Sequence, residues 1–181
     1  MQQSLIFTGS SIISLWEDLP AEVAGLPTLN TAVSGSQTAG LLRQLDELVI
    51  RHKARAVCYY CGSNDLNSAV PITVICANVL RSFELILRSQ PEARLIYLSI
   101  IKAPQKQDRL NQVDLINHFL RACADQTGCF TFIDINPVFF NADGSPRLEF
   151  FLEDLLHLTP TAYSALNAHL VPRLERLLAG G

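Results

Sequence analysis

An apolar run at Leu5, Ile6 and Phe7 stops at Gly9, presents two hydroxyls at Ser10 and Ser11, and gives way to apolar periodicity through Ile12, Ile13 and Trp16. This stretch, LIFTGSSIISLW, constrains the fold more than any other. It predicts a strand, a sharp turn and a helix. A strand apolar at every position suits the centre of a parallel sheet, where helices cover both faces. The carboxyl ends of such strands are where open α/β sheets collect ligands. Gly9 turns the backbone without a Cβ clash, and a serine opening the next helix lies beside free N–H groups and the positive end of the helix dipole. That environment suits a nucleophile and equally suits a plain N-cap.

The same alternation recurs along the chain. EDLPAEVAGLPTLN, with two prolines and a glycine, reads mostly as loop and closes on a short strand near Thr28 to Asn30. The small, polar phrase NTAVSGSQTAG follows as a loop, and Leu41, Leu42, Leu45, Leu48 and Val49 are spaced as one helix. A third strand is expected from Ala56 to Cys61, ending in the turn-forming phrase GSNDLN, and a helix from Pro71 to Arg88. A fourth strand spans Arg94 to Ile100, and a helix spans Asp108 to Thr127, closed by Gly128. A fifth strand spans Phe130 to Asp134. The last helix begins after Thr159-Pro160 and carries Tyr163, Leu166, Leu170, Leu174 and Leu177. Strands alternating with helices predict a three-layer α/β/α sandwich around a five-stranded parallel sheet. At 181 residues the expectation is one domain, 1–181.

Composition narrows the function classes. Hydrophobic residues make up 49% and charged residues 17%, yet no apolar run approaches the roughly 18 residues of a membrane span. Met1 and two glutamines lead directly into the first strand, without the basic segment and apolar core of a signal peptide, so the expected compartment is the cytoplasm, without stable membrane insertion. A net charge of −3 with scattered basic residues argues against a nucleic-acid partner. The five cysteines read as reduced thiols. Cys58 and Cys61 form a C-x-x-C inside a predicted strand, where residues three apart face opposite ways, so they read as core thiols.

Four polar phrases fall at one edge of the predicted sheet: GSS after the first strand, SGS after the second, GSND after the third and EDLLH before the last helix. Asp154 and His157 are three apart, so the carboxylate can reach the imidazole within one turn and fix its tautomer, leaving the other nitrogen to take a proton. Gly35 offers an unobstructed N–H and Asn64 a side-chain NH₂ where negative charge develops during acyl transfer. Singly, each has a plainer reading as a cap or turn residue. His52, His118 and His169, within or at the ends of helices, keep that plainer reading.

These phrases resemble, in order, the blocks of the SGNH or GDSL hydrolases. FTGSSIISLW is similar to the first block, with Ser10 where the family name has Asp, and the resemblance places the nucleophile at Ser11. NTAVSGS resembles the second block and puts the oxyanion glycine at Gly35. GSND resembles the third, whose asparagine is Asn64, and DLLHLTPTAY the last, with Asp154, His157 and the aromatic Tyr163. Many members have glycine where Leu155 stands. The resemblance implies a flavodoxin-like sheet and an esterase needing neither metal nor organic cofactor. Ser11 would attack an ester carbonyl, His157 act as base and acid, Asp154 orient it, and Ser11, Gly35 and Asn64 form the oxyanion hole. The implied partner is a small ester substrate in an open groove walled by Ile12, Trp16 and the phenylalanines of VFF and EFF. The alternative is a non-catalytic flavodoxin-like domain, in which the GSS and SGS amides hold an anion or other ligand.

Overall fold

The structure, a computed structural model, describes residues 3–179. In chain order the elements are β1 (Leu5–Gly9), α1 (Ser11–Ser14), β2 (Glu22–Val23), β3 (Leu26–Asn30), α2 (Thr38–Arg43), α3 (Leu45–Leu48), β4 (Ala56–Tyr60) and α4 (Ser63–Asn67). They continue with α5 (Ile72–Ser89), β5 (Arg94–Leu98), α6 (Leu110–Thr127), β6 (Thr131–Ile133) and α7 (Pro160–Ala179). One mixed sheet runs in the order β2-β3-β1-β4-β5-β6. The five strands foreseen from the apolar runs are parallel to one another, with Leu5 opposite both Thr28 and Ala56.

The sixth strand is a correction. Glu22–Val23 pairs antiparallel with Leu26–Pro27, inside a segment read as loop. Ala24 and Gly25 both take positive φ, 53° and 76°, the conformation a two-residue hairpin turn demands. The helix expected over Leu41 to Val49 also divides, because the backbone leaves helical geometry at Gln44 (φ −98°, ψ 10°). Leu41, Leu45 and Val49, four residues apart, nevertheless share one apolar cluster.

Alternation along the strands builds two cores. Leu5 and Phe7 point to one face, beneath α1 and α7, with Cys58, Tyr60 and Leu98. Ile6 points to the other, beneath α2, α3, α5 and α6, with Val57, Tyr59, Cys61 and Tyr97. Cys58 and Cys61 therefore lie buried on opposite faces as free thiols, and burial pushes both above the ordinary thiol value. Among the described residues no helix is long and apolar enough to cross a membrane.

β1 lies between β3 and β4, so the loops that leave its carboxyl end and theirs emerge side by side. Gly9 makes that crowding feasible. At φ 151° a Cβ there would stand 2.0 Å from the Tyr60 carbonyl oxygen, so no other residue allows β1 to pass β4 so closely.

Candidate active site

Ser11 is the first residue of α1, and Ser10 precedes it as an N-cap position that makes no side-chain cap bond. The Ser10 N–H donates to Tyr60 O at 3.1 Å, which ties the turn to β4. From the other side Tyr163 of α7 donates its hydroxyl to Ile12 O at 2.9 Å, and Trp16 stacks on the Tyr163 ring. The short helix bearing Ser11 is thus held by a strand on one side and a packed aromatic pair on the other.

Asp154 and His157 lie in a turn closed by the Leu155 N–H on Leu152 O and the Leu152 N–H on His157 O. Asp154 Oδ1 accepts the N–H groups of Leu156 and His157 at 3.0 and 2.9 Å, while Oδ2 lies 2.5 Å from His157 Nδ1. Burial resists ionisation of Asp154, but those N–H bonds and the imidazole outweigh it and hold the carboxyl below its ordinary value. An ionised carboxylate only accepts, so Nδ1 carries a proton, and the neutral imidazole then presents Nε2 as its acceptor. Nε2 lies 2.9 Å from Ser11 Oγ. The side chains singled out in the sequence are therefore linked in series, Asp154 to His157 to Ser11. Asp154 and His157 keep 48% and 26% of their side-chain surface, so the series opens to solvent.

Two further loops meet it. The loop after β3 runs on beside β1, with the Val33 N–H on Gly9 O. Asn30 Nδ2 donates to Ile13 O at 2.7 Å, and Ser34 Oγ lies 2.6 Å from Ser14 Oγ, so this loop is fastened to α1. Gly35 lies in it at φ 77°, with open space where a Cβ would project. On the β4 side Asn64 Nδ2 donates to Ser36 O at 3.1 Å, leaving its second N–H for another acceptor. Among the described residues the N–H groups of Ser11 and Gly35 have no hydrogen-bond acceptor. Three unengaged donors thus belong to loops fastened to one another beside Ser11.

Sequence reasoning missed what fastens the second and third loops. Asp65 is buried, and both its oxygens accept the Thr38 N–H while Oδ1 also accepts the Thr38 hydroxyl at 2.6 Å. The N-terminus of α2 is thereby locked to α4. The available signal was the aspartate adjoining Asn64 in GSND.

The expected groove wall is a further correction. Ile12, Trp16, Phe139, Phe150 and Phe151 are all buried in the core beneath α1 and α7, and Phe140 packs against it. Large apolar residues near polar catalytic groups have two possible fates, and these are claimed by the core that supports the loops. The exposed apolar side chains beside the site are Leu15, Val33, Leu152 and Leu155. Leu155 takes φ 58°, the left-handed conformation that explains why glycine is common at this position in the resembling family. Among the described residues no three His, Cys, Asp or Glu side chains are grouped so as to hold a metal ion.

A serine, a histidine and an aspartate are thus linked at the carboxyl edge of the sheet in a three-layer α/β/α sandwich, and sequence comparison gives the family. Residues 8–165 match the GDSL-like lipase/acylhydrolase family, and the chain belongs to that family of hydrolases. It is 25% identical over 186 residues to the rat (Rattus norvegicus) platelet-activating factor acetylhydrolase IB subunit alpha1, an alignment covering 98% of this chain and 78% of the relative. Two solved structures share the fold. One is a GDSL-like lipase from Bacteroides thetaiotaomicron, with TM-score 0.80 and 18% identity, covering 97% of this chain and 89% of the other. The second is a carbohydrate esterase family 3 protein from Talaromyces cellulolyticus, with TM-score 0.78 and 15% identity, covering 99% and 100%.

Proposed function

We propose that the protein is a serine esterase that cleaves carboxylic esters of short or accessible acyl groups through an acyl-enzyme on Ser11. The observation that carries this reading is the 2.9 Å approach of His157 Nε2 to Ser11 Oγ, with Nδ1 held on an ionised Asp154. His157 takes the Ser11 proton as Oγ attacks the ester carbonyl, then returns it to the departing alkoxide. Asp154 keeps the imidazole in the required tautomer and favours the imidazolium that forms. The Ser11 and Gly35 N–H groups and the unengaged N–H of Asn64 receive the carbonyl oxygen as it becomes an oxyanion. Water then enters against the same base and releases the acid.

The chain works as one hydrolase domain. Acetyl esters fit it best: the site is open, and the relative aligned over 98% of this chain is named an acetylhydrolase. The exposed Leu15, Val33, Leu152 and Leu155 then offer the apolar contact for the acyl or leaving group. A fluorophosphonate probe tests the reading together with p-nitrophenyl esters from acetate to palmitate. Labelling of Ser11 alone and fastest turnover at the short end are expected. A folded protein that neither labels nor turns over any ester overturns it.

A further inference from the structure

Lys106 is a buried cation, 1% exposed, at a distance in sequence from every residue assigned above. It lies in the 3₁₀ turn Pro104–Arg109 that follows β5. Its Nζ donates to Asn67 Oδ1, at the end of α4, the helix that carries Asn64. One residue earlier, the Gln105 N–H donates to Leu155 O at 3.1 Å, in the turn that carries Asp154 and His157. The turn itself is pinned, since the Lys106 N–H donates to Ala103 O at 2.8 Å. A single segment, kinked at Lys106 (φ −97°, ψ 17°), therefore holds α4 by one residue and the histidine turn by its neighbour.

We propose that Lys106 is a positioning residue, which through Asn67 sets the separation between Asn64 on α4 and His157 on its turn. The inference rests on the serine-esterase reading. Core packing alone does not account for the ammonium. Burial, with Arg109 reinforcing it and Asp108 opposing it, lowers the Lys106 pKa to about 8, so the fold carries the charge at neutral pH at a cost that an apolar side chain of the same length avoids. A group retained against that cost is the pattern expected of one kept for geometry at a working site.

Two properties separate this role from a structural one. Lys106→Met removes the donor while keeping the stem, so melting temperature stays level or rises while kcat falls about 10-fold or more and KM stays within about two-fold. Asn67→Leu reproduces the kinetic loss. Asn67→Asp, which keeps an acceptor, stays within about three-fold of the parent. A folded Lys106→Met or Asn67→Leu protein with parental kcat overturns the proposal, as does a Lys106→Met chain that fails to fold, which makes the lysine structural. Hydrogen exchange gives a readout independent of turnover. The Gln105, Leu156 and His157 amides should exchange faster in Lys106→Met than in the parent, and unchanged rates there overturn the brace. If the parent hydrolyses no ester, the esterase reading fails while the exchange data still decide whether Lys106 couples the two loops.

Discussion

The side-chain amide of Asn64 holds the carbonyl of Ser36 at 3.1 Å, one residue beyond Gly35. The two proposed oxyanion donors outside α1 are thus one hydrogen bond apart. Asn64→Ala should lower kcat by about 10²–10³ with KM little changed, because the lost bond is made to charge present only in the transition state. It should also cost about 1 kcal/mol of stability through the Ser36 contact. Kinetics and thermal melting measured together separate the effects. A well-folded Asn64→Ala enzyme within a few-fold of parental kcat removes Asn64 from the oxyanion hole.

Ser11 and Ser10 are adjacent but not equivalent. Only Ser11 Oγ is hydrogen-bonded to His157, so Ser11→Ala should abolish turnover and probe labelling, whereas Ser10→Ala should retain activity. Mass spectrometry of the labelled peptide checks the assignment, and a label carried by Ser10 refutes it.

The histidine turn has a pH signature. In the proposed mechanism His157 Nε2 accepts the Ser11 proton and Asp154 only orients it, so substitutions at the two differ in size of effect. Asp154→Asn should reduce kcat by about 10⁴, less than the roughly 10⁶ expected for His157→Ala. Asp154 is itself more acidic in the fold than in the unfolded chain. Its contribution to stability is therefore present above the ordinary carboxylate value and lost as pH falls through the depressed one. Melting temperatures followed by circular dichroism across an acid pH series, parent against Asp154→Asn, check this loss.

Two glycines at the site should respond in opposite ways. Gly9→Ala brings a Cβ within 2.0 Å of Tyr60 O, so loss of expression or of the cooperative melt is expected. Gly35→Ala meets open space and should cost only the about 1–3 kcal/mol of a strained φ, keeping the N–H and a folded protein.

What the sequence disclosed follows from these geometries. β1 and β4 are apolar at nearly every position because both faces are covered, and that pattern survives without knowledge of partners. That Ser10-Ser11 and the Asp154–His157 pair lie where the strands end was legible from spacing and phrase order, whereas Ser11 was chosen over Ser10 by the family resemblance. The hairpin at Ala24-Gly25 was not, because a two-residue strand is too short to show alternation. The burial of Trp16 and Phe150 was not either: an aromatic beside a polar loop reads the same whether it faces solvent or core. Lys106 was illegible for a related reason, since a lysine in a polar phrase such as KAPQKQ gives no sign that the chain will close over it.

Leu15, Val33 and Leu152 are exposed on the segments that carry the site yet contribute to neither core. Changes at these three places therefore leave the packing under α1 and α7 untouched, and under the esterase reading selectivity can be altered apart from the groups that do the chemistry. A saturation library confined to them should yield variants that melt with the parent while differing in chain-length preference. Natural divergence within such a scaffold can follow the same route, one surface substitution at a time, without passing through an unfolded intermediate sequence.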